Sequence, residues 1–238
     1  MISVRGVARA ATAGGLALVC VVLIASTPCL AAPVVFSATD FGDSLWDVTV
    51  VCAAGAGGAA SGWQVENAGH GGAYRRNRIS VNAGGPAYVW AFHCCLPFTY
   101  DPNVQGAVAS VDYAAYLIGL PGAHNTGPAI RQDGVGYAVT DLLAEDATWT
   151  LKSFSDLTEQ DFRVIGGTAH PDFSASGSAF YLGYITGYST PSSQHGAYDV
   201  DTGIDNWTFT VHPVPEPAAL SLLALGGAVE MARRNRRK

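Results

Sequence analysis

Between residues 33 and 213, apolar and polar residues alternate in short stretches at the two-residue period of half-buried strands, and helical periodicity is nearly absent. Trp207, Phe209 and Val211 alternate with Thr208 and Thr210. Trp149 and Leu151 alternate with Thr148, Thr150 and Lys152, and Ala109, Val111 and Tyr113 with Val108, Ser110 and Asp112. Similar runs predict further strands near 33–38, 45–52, 74–81, 87–94, 129–140 and 178–188, separated by Gly, Pro, Asn and Asp. Asp133-Gly134 predicts a two-residue hairpin turn, because both turn positions want positive φ. One short helix is predicted, with Thr158 as its cap and Glu159 to Phe162 as its body. Ala53 to Gly62 is rich in Gly and Ala and reads as a mobile loop. No internal repeat is found. The expected fold is all-β, an antiparallel β-sandwich of the jelly-roll kind, forming one domain over residues 32–213.

The two ends of the chain do not fit that pattern. Arg5 and Arg9 precede an apolar stretch from Ala13 to Ser26, and Cys29-Leu30-Ala31 has the small residues of a cleavage site. Residues 1–31 are therefore expected to be a signal peptide. At the other end stand Val214, Pro215, Glu216 and Pro217, where two prolines forbid regular structure. An uncharged run follows from Ala218 to Val229, about 12 residues where a relaxed membrane span needs ~20. Five of the last six residues are basic, which holds that end on the cytoplasmic side. This order of motif, short transmembrane segment and basic tail over 214–238 resembles the PEP-CTERM sorting signal of exported bacterial proteins, whose Val-Pro-Glu-Pro stands here unaltered. The resemblance implies an exosortase-type membrane protease as partner, transient attachment to the inner membrane, and delivery to the cell surface or extracellular matrix of a Gram-negative-type bacterium. The competing reading of the tail is an ordinary anchor helix of a surface protein.

Removing the basic ends changes the charge. Residues 32–213 hold six basic against seventeen acidic side chains, hence −11, where the whole chain has −6. Such a domain excludes nucleic acid and anionic membrane as partners and suits calcium. Asp40 and Asp43 precede the first long strand and Asp205 opens the last, so these three are the candidate ligands of a structural Ca2+; the alternative is turn and strand-edge aspartates. Asp199 and Asp201 form a second candidate cluster. The six histidines show no zinc spacing. Three cysteines remain after export. Cys52 is expected to pair with Cys94 or Cys95, which point to opposite faces of one strand, unless all three are buried thiols.

Tyr74-Arg75-Arg76, the run from Gly106 to Tyr113, Gln132-Asp133-Gly134, Pro171 to Ser174 and Gly203 to Trp207 are similar to a group of exported ectodomains with concanavalin-like and laminin-G-like sandwiches. That resemblance supports the fold more than any activity. Phe41-Gly42-Asp43-Ser44-Leu45 looks like the nucleophile block of GDSL esterases, but the late Asp-x-x-His block of that family occurs nowhere in the chain, so Ser44 lacks a base. A concanavalin-like glycosidase would carry Glu-x-Asp-x-x-Glu, and Glu66, Glu145 and Glu159 do not have that spacing. Tyr74, Arg76 and Arg78 share one strand face and form the candidate ligand surface, suited to sugars or anionic exopolysaccharide; pairing with cross-strand aspartates is the alternative. Trp63 and Trp90 are stacking platforms or core. The expectation is thus a non-enzymatic exported surface or matrix protein that binds polysaccharide in a biofilm matrix, with a secreted hydrolase as its rival.

Overall fold

A computed structural model describes residues 32–120, 125–139, 146–191 and 195–215, all within one compact unit, Cys29–Pro217. The expected signal peptide, and the sorting signal from Glu216 onward, lie outside the described residues.

Twelve strands and one short helix follow in chain order: β1 Val34–Ala38, β2 Trp46–Gly55, β3 Gly58–Val65, β4 Tyr74–Val81, β5 Ala87–Tyr100, α1 Pro102–Gln105, β6 Val108–Gly119, β7 Asn125–Gln132, β8 Val135–Val139, β9 Thr150–Leu157, β10 Phe162–Val164, β11 Phe180–Thr190 and β12 Tyr198–Pro213. They form two antiparallel six-stranded sheets. Sheet A runs β3-β4-β12-β6-β9, with β1 also on β12, and sheet B runs β10-β8-β7-β11-β5-β2. The architecture is the expected β-sandwich. β4 occupies the predicted 74–81, and Asp133 and Gly134 have φ of 52° and 79° at the β7–β8 turn, as the hairpin reading requires.

Two local expectations are corrected. Residues 53–62 are not a loop: β2 runs to Gly55 at the edge of sheet B, and from Gly58 the chain continues as β3 at the edge of sheet A, paired along β4 with Trp63 opposite Arg76. Backbone pairing on β4 overrides the weak strand propensity of Gly and Ala. The helix predicted after Thr158 is a single 3-10 turn, Glu159–Asp161, closed by a capping box between Thr158 and Asp161.

The main core lies between the sheets. Trp46, Tyr113, Leu117, Ile130, Phe180, Leu182, Ile204, Trp207, Phe209 and Val211 are buried there. Burying each such side chain contributes about 1.5–3 kcal/mol. Trp207 stands at its centre, edge-on to Trp46 and stacked on Phe98. One polar seam crosses this interior. Tyr184 of β11 donates its hydroxyl to Asn77 Oδ1 of β4 at 2.7 Å, joining the two sheets. His93 stacks on Tyr184, and its Nε2 lies 3.0 Å from the Thr186 hydroxyl. Arg75, only 1% exposed, lies over the Trp46 ring, donates to the Gly62 carbonyl at 3.1 Å and meets Asp43 at 3.3 Å. A second apolar cluster, with Phe92, Cys94, Ala129, Ala138 and Ile185, lies on the other face of sheet B against Ile165.

The expected disulfide is not formed, and the strand register gives the reason. Cys52 stands opposite Trp90 on β5, whereas Cys94 stands opposite Asp47 and Cys95 opposite Trp46. Four or more residues along a strand separate Cys52 from either partner, roughly 13 Å at 3.3 Å per residue, beyond the ~7 Å reach of a disulfide. Burial pushes the Cys94 thiol up to about 11 and the Cys95 thiol to about 12, so both stay protonated. The folded sandwich is therefore expected to react with a thiol reagent at Cys52 alone. Cys94 and Cys95 should become reactive only after denaturation, and a mass two hydrogens short of the reduced form would contradict this.

Candidate functional site

The alternation of β4 turns Tyr74, Arg76 and Arg78 to the outer face of sheet A, while Arg75 and Asn77 enter the interior. The expected grouping of those three therefore holds, but its positive charge does not. Arg78 stands opposite Asp201 in the β4–β12 register. It donates to both Asp201 oxygens, Nε to Oδ1 and Nη2 to Oδ2, each at 2.8 Å. Arg76 donates to the same Oδ2 through Nε at 3.2 Å, and Arg78 also meets Asp199 at 3.0 Å. The hydrogen bonds from Arg78 and then Arg76 hold the Asp201 carboxyl below the usual carboxylate range. Two guanidiniums and two carboxylates leave this patch with no net charge.

Trp63 of β3 covers the patch. The guanidiniums of Arg76 and Arg78 lie 5.6 and 5.4 Å from its ring centroid, and the indole is half-exposed. Beside it, Tyr74 meets the edge of Trp149 at 5.3 Å. Gly203 makes this possible, because a Cβ there would strike Trp149 at 2.9 Å, Tyr74 at 2.9 Å and Ile118 at 2.7 Å. Farther along the face, the His70 ring stacks on Tyr116 at 3.8 Å. The outer face of sheet A is thus an aromatic surface over neutralised arginines. Trp149 and His70 were not legible as part of it, since both arrive from loops. Trp90 lies on the outer face of sheet B, flat against Gly187.

The three expected calcium ligands are not brought together. Asp43 Oδ1 accepts the Gln64 N–H at 2.7 Å and meets the Arg75 guanidinium, and Asp40 Oδ1 accepts from Gln64 Nε2 at 2.6 Å. Both aspartates converge on Gln64 of β3, and Asp43 also meets a cation the chain already supplies. Asp205 stands one residue beyond Ile204, whose side chain is in the core, and so faces the other side of sheet A. Among the described residues no group of three or more His, Cys, Asp or Glu side chains could hold a metal.

Ser44 is exposed on a one-turn 3-10 helix, Asp43–Leu45, and among the described residues no histidine bonds to it. His212 and Asp112 form a closer approach to hydrolytic chemistry. His212 Nε2 lies 2.7 Å from Asp112 Oδ2, and Asp112 Oδ1 accepts the Asp156 N–H at 2.9 Å. Partial burial raises the Asp112 pKa, but the Asp156 N–H and His212 outweigh it and hold the carboxyl below its ordinary range. Asp112 opens on a shallow pocket with Ser153, Ser155, Thr208 and Thr210. No hydroxyl among the described residues bonds to His212, so the pair lacks the activated nucleophile a triad requires.

The sorting signal begins where the sandwich ends. β12 runs to Pro213, and the Val214 N–H donates to the Ala107 carbonyl at 2.6 Å. Residues 213–238 match the family model described as the PEP-CTERM protein-sorting motif. The chain carries that motif at its C-terminus. The apolar run 218–229 lies outside the described residues, among which no helix is long and apolar enough to cross a membrane. The sequence matches no curated protein. Among solved structures the chain is similar to the family 11 carbohydrate-binding module of the cellulosomal cellulase Lic26A-Cel5E of Clostridium thermocellum. The identity is 13%, with 75% of this chain and 94% of that one covered, at a TM-score of 0.42. The family 11 module from the same organism in complex with a β-1,3-1,4-mixed-linked tetrasaccharide is matched at 13% identity, over 77% and 98%, at 0.43. The CBM22-1 xylan-binding domain of Paenibacillus barcinonensis Xyn10C is matched at 9% identity, over 76% and 94%, at 0.41.

Proposed function

We propose that the chain is an exported, non-enzymatic surface or matrix protein whose sandwich is released from its tail by an exosortase-type protease and holds polysaccharide on the outer face of sheet A. The observation that carries this reading is the seam at residue 213. Every described strand ends by Pro213, and the sorting motif starts at once. A cut near Pro215–Pro217 therefore removes no strand from either sheet.

The outer face of sheet A supports the ligand half of the proposal. Trp63 offers a half-exposed indole, and the guanidiniums beneath it are held in place by Asp201 and Asp199. A rigid aromatic over a surface without net charge suits stacking on neutral sugar rings, with Arg76 and Arg78 still partly exposed to donate to hydroxyls. Pairing of both arginines makes an anionic polysaccharide the weaker match.

One preparation tests both halves. The mature protein recovered from the producing cells is expected to have an intact mass ending near residues 215–217, and a surface form that still contains Lys238 would refute the sorting reading. The same material on a glycan array is expected to retain neutral polysaccharides, and Trp63→Ala to lose most of that binding without loss of fold, since Trp63 sits on an edge strand. Unchanged binding by the variant would remove this face from the proposal.

A further inference from the structure

β9 carries one residue too many for its neighbour. Val111 of β6 stands opposite Leu157 and Tyr113 opposite Phe154, so β9 takes three steps where β6 takes two. Leu157 and Phe154 both pack on the core, which leaves Ser155 and Asp156 together on the outer side of sheet A. Asp156 has φ 54°, a left-handed conformation uncommon outside glycine. The Asp112 carboxylate holds it there, with Oδ1 accepting the Asp156 N–H at 2.9 Å and Oδ2 lying 2.7 Å from His212 Nε2. A second bulge lies on the other flank of β6. Asp205 stands opposite Tyr116 and Thr208 opposite Ala114, so there β12 has the extra residue, and Asn206 has φ 48°.

Between the two bulges the surface dips. A shallow pocket of about 230 Å³ is lined by Asp112, Ala114, Ser153, Ser155, Thr208 and Thr210. None of these four hydroxyls makes a hydrogen bond among the described residues, so all can donate and accept. Asp112 keeps unused lone pairs beside them. Its charge repels phosphates and carboxylates, and four hydroxyls with a carboxylate match a neutral molecule rich in hydroxyls of its own. The volume is below the ~300–1,000 Å³ of a drug-sized ligand's pocket, which limits the occupant to about one ring.

The pocket shares its face with Trp63. Trp63 is opposite Arg76, and Arg76 is opposite Gly203. Thr208 stands five residues beyond Gly203 on β12, roughly 17 Å at 3.3 Å per residue. The His70–Tyr116 stack lies between the two, because Tyr116 is opposite Asp205. Resting on the polysaccharide reading of this face, we propose that the pocket is a second sugar subsite. It holds one neutral ring through that ring's hydroxyls while Trp63 stacks on another ring of the same chain. A chain that spans both is held at two points, and its affinity exceeds that of a fragment that reaches only one.

Calorimetric titration of the mature protein with disaccharides and hexasaccharides of β-glucan, xylan, mannan and dextran tests this. At least one hexasaccharide is expected to bind about tenfold or more tightly than its disaccharide. Thr208→Val with Thr210→Val removes two hydroxyls and keeps the side-chain shape. It is expected to bring the hexasaccharide to within about threefold of the disaccharide. Ser153→Ala with Ser155→Ala, on the exposed edge strand, should act alike. Disaccharide binding, which Trp63 supplies, should stay, and an unchanged Tm shows that each variant is folded. Asp112 is left in place because it holds the β9 bulge. A hexasaccharide no tighter than its disaccharide, or a preference that survives both double variants, overturns the pocket and leaves the Trp63 reading standing. If Trp63→Ala changes nothing while the valine pair abolishes binding, the Trp63 reading fails and the pocket is a sugar site by itself. No binding of any of these oligosaccharides by the natural chain overturns both.

Discussion

Replacing Arg75 with alanine is expected to destabilise the sandwich by about 3–5 kcal/mol, while replacing it with methionine should change stability by less than about 1 kcal/mol. Both variants remove the same charge. Arg75 lies between Trp46 and the Tyr184–Asn77 bond, in the middle of the interior. Both variants strip the Gly62 carbonyl of its donor, but alanine also leaves a cavity the size of a long side chain there. Methionine fills the space with flexible apolar atoms, and Asp43 is exposed enough to return to water. Taking a guanidinium out of water is costly in itself, and Arg75 Nε finds no acceptor in its buried position. Urea unfolding followed by tryptophan fluorescence measures the difference. If methionine proves as damaging as alanine, the ion pair with Asp43 is holding the sheets together, and packing is the lesser part.

Trp207→Ala is expected to cost about 3–5 kcal/mol, a large share of the 5–15 kcal/mol that ordinary domains possess. Trp207 of sheet A is fully buried and touches two aromatic partners from the facing sheet B, Trp46 of β2 and Phe98 of β5. Trp207→Phe should cost much less than alanine. The indole N–H of Trp207 has no hydrogen-bond partner, so losing it strands no acceptor, and a phenyl ring keeps most of the stacking on Phe98. A phenylalanine variant as unstable as alanine would place the value of this residue in its exact volume.

What the sequence makes legible here is set by the period of each strand. β4 reads cleanly because Ile79 and Val81 alternate with polar residues, and the same alternation separates Arg75 from Arg76 and Arg78. Partners do not read, since Arg78 meets Asp201 across 123 positions of chain, and only the β4–β12 register brings them opposite. β3 escapes notice because its Gly and Ala residues carry no apolar pattern; it is a strand only because β4 offers an unpaired edge. The cysteines mislead for a related reason. Their residue type suggests a bridge, and a pairing register that places Cys52 against Trp90 forbids it. Asp205 is the hardest case: its setting depends on a glycine-rich segment folding over the sheet, and nothing local encodes that.

The place of β12 in sheet A bears on when the protein can fold. β12 is flanked by β1 and β4 on one edge and β6 on the other, and it supplies Trp207, Phe209 and Val211 to the core. It is also the last of the described strands. A polypeptide threaded outward from its N-terminus delivers this central strand after all the others, so sheet A stays split into unconnected pieces until the final strand emerges. The contacts that close it span most of the chain and are slow to form. In a chain exported as proposed, sheet A therefore stays open until β12 has emerged.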